Sequence, residues 1–150
     1  MQLWVDADAC PKVIKDILFR AAERVSVQLT LVSNHDLRIP VSEFVSKILV
    51  PGGPDVADKR IVELLESGDL VITADIPLAD AVVKKEGFAL DPRGQLYTHG
   101  NVGQKLATRN LLSDLRTAGA ITGGPPTISN KDRQAFANQL DRFLVRNHKK

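Results

Sequence analysis

Apolar and polar positions fall into blocks along this 150-residue chain, and the blocks read alternately as strand and helix. "LWV", Leu3 to Val5, predicts a first strand. From Pro11 to about Arg24, Val13, Ile14, Ile17, Leu18 and Ala21 keep the i, i+3, i+4 spacing of a helix with one buried face. In "VSVQLTLVS" the residues Val25, Val27, Leu29 and Leu31 alternate with polar neighbours, as in a half-buried strand. "NHDLRIP" reads as a turn, "SKILVP" as a short strand, and "PGGP" (51–54) as a stop. Asp55 to Ser67 predicts a helix that turns Val56, Ile61, Val62, Leu64 and Leu65 inward and ends at Gly68. "DLVIT" is rich enough in β-branched residues for a buried strand. Asp75 to Glu86 predicts another helix, ended by Gly87, and "FAL" a last strand. "DPRGQLYTHGN" reads as a loop, after which Asn101 caps a helix to about Ala118 with Gln104 as its reciprocal partner. A Gly/Pro-rich connector then leads to a final helix from Asn130 to about Arg146.

Strands alternating with helices predict an α/β fold, a parallel sheet covered by helices on both faces in three layers. The length suits a single domain over 1–150, with a helical extension from about 101 to 150. Hydrophobic residues make up 43% and charged residues 25%, the balance of an ordinary globular chain. No apolar run is long enough to span a bilayer, and the start lacks the basic and small-residue signature of a secretion signal. The single cysteine, Cys10, excludes an internal disulfide and suits a reducing cytoplasm, the expected location. Three histidines and one cysteine leave almost no material for a Cys/His zinc site. The net charge of +2 conceals an asymmetry: residues 1–91 carry 10 Lys+Arg against 15 Asp+Glu, and residues 92–150 carry 10 against 3. That pattern suits a metal-dependent enzyme acting on a polyanion, and equally a solvated basic surface on two helices.

Ligands of open parallel sheets bind at the carboxyl ends of the strands. Asp6 and Asp8 follow the first strand; Asp75 follows "DLVIT", with Asp80 a turn further on. If the two strands are neighbours, these carboxylates meet at one sheet edge and offer the oxygen ligands that Mg²⁺ or Mn²⁺ prefers. Each also has a structural reading. Asp8 suits the N-cap of the Pro11 helix, Asp75 the N-cap before Pro77, and Asp80 a first helical turn that favours negative charge. Asp55 and Asp58 have the spacing of a cap and its partner. Asp6, still part of the strand, is the one that capping explains least.

The segments "VDADACP", "VPGGPDVADKRI", "GDLVITADIPLA", "LDPRGQLYT" and "GGPP" resemble, in order, the motifs of the YaiI/YqxD family of bacterial proteins, over nearly the whole chain. That family is similar in turn to PIN-domain nucleases, so the resemblance implies a PIN-like fold. It also implies metal-assisted phosphodiester hydrolysis of a nucleic acid, RNA sooner than DNA. On the PIN pattern Asp6, Asp58 and Asp75 match the catalytic and metal-holding acids, with Asp8 and Asp80 as extra ligands. Glu43 is the weaker match for the fourth acid usual in PIN domains, and the basic C-terminal helices are an addition to the minimal fold. Arg93, Lys105 and Arg109 would hold flanking phosphates, and Asn34, at the end of the second strand, would position substrate or close a turn. Tyr97 and His99 would stack on a base, or stand as a packed aromatic and a solvent histidine.

Two other readings compete. "DADAC" after a strand approaches the start of haloacid-dehalogenase-type phosphatases, but Cys10 stands at the Thr/Val position and "GD" (68–69) precedes its strand rather than following it. Cys10 as a nucleophile lacks an arginine at phosphatase-loop spacing, so a small buried hydrophobe is its default. The remaining reading is a non-catalytic scaffold that binds RNA or a protein, its acids kept as helix caps.

Overall fold

The computed structural model describes residues 1–53, 55–104, 107 and 128–147. Lys105 and Arg109, with most of the expected helix to Ala118, lie outside the described residues. The strands are β1 (Leu3–Asp6), β2 (Leu29–Ser33), β3 (Val45–Leu49), β4 (Leu70–Ile72), β5 (Phe88–Leu90) and β6 (Leu96–Tyr97). The helices are α1 (Lys12–Val25), α2 (Val56–Leu64), α3 (Ile76–Lys84) and α4 (Asn130–Asn147), and one 3₁₀ turn spans Ala7–Ala9. The strands form one sheet in the order β3-β2-β1-β4-β5-β6, parallel except for β6. The three-layer α/β arrangement expected from the alternation is present.

The two-residue period of a strand sorts the core. Leu3 and Val5 of β1, with Leu70 and Ile72 of β4, pack against Ile14 and Leu18 of α1 and Phe136 and Leu140 of α4. Trp4 and Val71, one residue out of phase, pack on the other face against Ile61 of α2 and Leu78 and Val82 of α3. Strands covered on both sides are buried throughout, and every residue of β1, β2 and β4 is. The chain runs outward from β1 to β2 and β3, then returns across β1 to begin β4. This reversal makes the β1/β4 carboxyl edge the topological switch point, the place where open α/β sheets form binding crevices.

Three sequence expectations need correction. The alternating segment at 25–31 is not all strand. Val25 closes α1, Ser26 takes a left-handed φ of 57° as its cap, and β2 starts only at Leu29. The second is α2, which ends at Leu64; Leu65 is extended, and Gly68 serves a later turn at φ 90°. The third is "DPRGQLYTHGN", where Asp91 to Gln95 make a tight hairpin, closed by the Asp91 N–H donating to the Gln95 carbonyl, that adds β6 antiparallel to β5. Asn101 also works on that segment, its carboxamide accepting from the Thr98 N–H and donating to the Leu96 carbonyl.

The final helix is no appendage. Phe136, Leu140, Phe143 and Leu144 of α4 are buried in the α1-side core. Gly94, at φ 93°, lets the β5–β6 turn lie directly on α4, where an added Cβ would meet the Ala135 backbone at 2.7 Å. Glycine is required there both for the dihedral and for the space.

Candidate functional site

Asp6 is the last residue of β1 and is 7% exposed. It shares the phase of Trp4, which places it toward the α2/α3 face. Thr73, just past the end of neighbouring β4, donates its hydroxyl to Asp6 Oδ2 at 3.3 Å and accepts from the Asp75 N–H at 3.0 Å. Asp75 then opens α3, its Oδ1 accepting from the Leu78 N–H at 3.1 Å. The capping role foreseen for Asp75 is therefore real, yet it occupies only Oδ1. Asp58, in the first turn of α2, completes the group. Asp55 does not cap that helix with its side chain, so the expected Asp55/Asp58 capping pair is not formed.

These carboxyl groups act on one another. Asp58 is pushed up to about 7, first by burial, then by the charges of Asp6 and Asp75, by a side-chain hydrogen bond with Asp75, and by Asp55. Asp6 is raised by burial, partly offset by the Thr73 hydroxyl, and raised further by Asp75 and Asp8. Three acids from β1, α2 and the β4–α3 junction thus compete for the same space with one hydroxyl and one backbone N–H to steady them.

Among the described residues no three His, Cys, Asp or Glu side chains form a ready-made metal cage. Asp75 and Asp6 instead lie close enough to Asp58 to disfavour its charge. Ionised together, the three carboxyl groups are an all-oxygen set with excess negative charge, the donor chemistry that a hard divalent cation takes.

The sequence model described as "Uncharacterized BCR, YaiI/YqxD family" matches residues 4–146. The chain belongs to this family. Its relatives are similar along their whole length. The UPF0178 protein of Janthinobacterium sp. (strain Marseille) is 58% identical over 150 residues, 100% of this chain and 99% of that one. That of Shewanella woodyi is 55% identical over 149 residues, 99% of both chains, and that of Dechloromonas aromatica 57% over 146, 97% of both. No solved structure matches the chain.

The other family-derived candidates separate into those near this edge and those elsewhere. Asp8 is not the cap of α1, which begins behind Pro11 with no side-chain cap. The 3₁₀ turn carries it over the end of β2. There it accepts from the Ser33 hydroxyl at 2.6 Å and the Asn34 N–H at 2.9 Å, with His35 Nδ1 at 2.9 Å. Asn34 is thus on the expected rim, tied to Asp8 through its backbone. Asp80 pairs with Lys84 at 2.8 Å on the flank of α3 and is not among the charges acting on Asp6 or Asp58. Glu43 precedes β3 and so stands at the amino edge, opposite the site. Arg93 sits in the β5–β6 turn with its guanidinium 2.6 Å from Asp132 of α4, an ion pair that competes with the phosphate contact expected of it.

Tyr97 is 4% exposed and packed, so it has no free face for a base. His99 lies 3.8 Å from Glu86, before β5, again at the amino edge. Cys10 is buried and its thiol pushed up to about 12, first by burial, which removes it as a nucleophile. Sequence reasoning used Asp69 only to set aside a phosphatase and missed its structural role. It is buried at the amino edge and accepts from the Gln2 N–H, the Glu66 N–H and Trp4 Nε1 at 2.9, 2.9 and 3.0 Å. Its place behind a glycine and ahead of a strand was the available signal for a structural carboxylate, and it rules out the use of that acid in a phosphatase arrangement.

Proposed function

We propose that the chain is a divalent-cation-dependent phosphodiesterase acting on single-stranded RNA in the cytoplasm. The observation that carries this reading is the convergence of Asp6, Asp58 and Asp75 at the β1/β4 switch point, with Asp58 pushed up to about 7 by its neighbours. One buried and two half-buried carboxyl groups so close together need a counter-charge at neutral pH, either a proton or a cation. Asp6, Asp58 and Asp75 would hold Mg²⁺ or Mn²⁺, which supplies a water of lowered pKa and charge neutralisation at the attacked phosphate. Thr73 fixes the rotamer of Asp6, and the Leu78 N–H fixes that of Asp75. Asp8 is a positioning residue that clamps the β2 end against the site and adds negative charge beside Asp6. The family's resemblance to PIN-domain nucleases supports the same reaction and RNA as its substrate.

No helix among the described residues is long and apolar enough to cross a membrane. The cations of α4 lie across the sheet from the three acids, so phosphates beside the cleaved bond must be met from α2 and the strand-end loops. The test is cleavage of a labelled single-stranded RNA in Mn²⁺. Wild type is expected to cut and Asp6→Asn to lose at least about a hundredfold in rate, with an unchanged circular dichroism spectrum. Equal cleavage by the two proteins would refute the assignment. Intact RNA with phosphate released from p-nitrophenyl phosphate would place a phosphatase ahead of it.

A further inference from the structure

A cleft of about 660 Å³ opens between α2 and α3, and two of the three acids, Asp58 and Asp75, are among the residues that line it. Its size is within the usual range for a small-molecule site. Val62 lies four residues after Asp58, so the two share a face of α2, and it meets Pro77, Leu78 and Ala81 of α3 across the cleft. The cleft thus combines carboxyl groups with an apolar lining, which suits a flat ring joined to a phosphate.

The polar groups on its walls are unequal in kind. Asp55 and Glu63 are carboxylates, which only accept hydrogen bonds when ionised. Lys59 is the only cation lining the cleft among the described residues, and it stands beside Asp58 in sequence. Neighbouring Arg60 pairs with Glu63 at 3.3 Å, and Lys85 donates to the carbonyls of Val62 and Glu63. The Lys59 ammonium has neither an ion pair nor a hydrogen bond among the described residues, although four carboxylates line the same cleft.

We infer that this cleft receives the nucleobase next to the cleaved phosphate, with Lys59 on the adjoining phosphate, and that it favours adenine, cytosine and guanine over uracil. The inference rests on the nuclease reading above and deepens it. Walls that accept hydrogen bonds select a base that donates them. The exocyclic amino groups of adenine, cytosine and guanine donate to a carboxylate, whereas uracil offers a single N–H between two carbonyl oxygens that a carboxylate repels. Among the described residues no aromatic side chain lines the cleft, so discrimination rests on the amino group rather than on ring stacking.

The experiment measures binding of fluorescent heptamers of A, C and U ribonucleotides to Asp6→Asn protein by anisotropy in Mg²⁺, beside cleavage by wild type. The A and C heptamers are expected to bind about tenfold more tightly than the U heptamer. Ala81→Phe, which fills the cleft away from the acids, is expected to abolish that preference. Lys59 is exposed, so Lys59→Gln leaves folding intact; it is expected to weaken all three and to lower the salt slope by about one. Equal affinity for the three heptamers, or a preference that survives Ala81→Phe, overturns the inference even if wild type cuts RNA. A preference lost in Ala81→Phe upholds the pocket even if wild type leaves RNA whole, in which case the nuclease reading alone fails.

Discussion

Two buried aspartates sit at opposite edges of the same strand pair, and their surroundings could hardly differ more. Asp69, 4% exposed, precedes β4 and takes three N–H donors at 2.9–3.0 Å. Asp6, 7% exposed, ends β1 and takes one hydroxyl at 3.3 Å while Asp75 and Asp8 press negative charge on it. Burial is nearly equal; the supply of donors is not. A carboxylate surrounded by donors holds a fold together, whereas carboxylates that surround one another wait for a counter-charge. The contrast sets Asp69 apart from Asp6 without appeal to the family.

Mutation of each member tests that contrast, the largest effect belonging to the saturated acid. Asp69→Ala leaves the buried Trp4 indole N–H without its partner and takes the acceptor from two part-buried backbone N–H groups. Urea unfolding should show a loss of about 3 kcal/mol or more. A loss below about 1 kcal/mol would erase the distinction between the two edges.

Asp58→Asn should act in the opposite direction. Between the ordinary value of 3.8 and about 7, folded Asp58 keeps a proton that the unfolded chain releases. Its contribution to stability therefore falls as pH rises through that window and is lowest above it. In metal-free buffer Asp58→Asn should raise stability at pH 8 by about 1 kcal/mol, after discounting for its partial exposure to solvent. The gain should fade below the ordinary value of 3.8, towards pH 3, where both states are protonated. Thermal melts at the two pH values check this.

Asp75→Ala should cost about 1 kcal/mol through loss of the α3 cap, while Asp75→Asn should cost less because asparagine caps comparably. Asp6→Asn should have the smallest effect of all on unfolding, since it keeps an acceptor for Thr73 and relieves repulsion. A stability loss for Asp6→Asn as large as that of Asp69→Ala would make Asp6 structural.

Much of the candidate site's placement is legible in the chain because period and topology are. The two-residue period that buries Trp4 also orients Asp6, and the strand–helix alternation makes β1 and β4 parallel, so residues after both arrive at one edge. The same logic explains the failures. Glu43 comes before its strand, and in a parallel sheet that difference moves it to the far edge. Asp8 resembles a helix cap in sequence, but a 3₁₀ turn intervenes and hands it to β2, a contact set by tertiary packing rather than by local spacing. β6 escapes notice because two residues carry too little pattern, though the Pro-Arg-Gly turn ahead of it is a hairpin signal. At Val25 to Leu31 the alternation misleads because a helix end, a left-handed serine and a strand start happen to fall in phase.

The central claim, that Asp6, Asp58 and Asp75 are short of positive charge rather than of donors alone, is tested most directly by calorimetric titration of Mn²⁺ into the metal-free protein at pH 8. Saturable binding is expected. It should be lost in Asp58→Asn, kept in Asp80→Asn, and weakened at pH 5.5, where Asp58 holds its proton. Absence of binding by the wild type, or binding that Asp58→Asn leaves unchanged, would contradict the account.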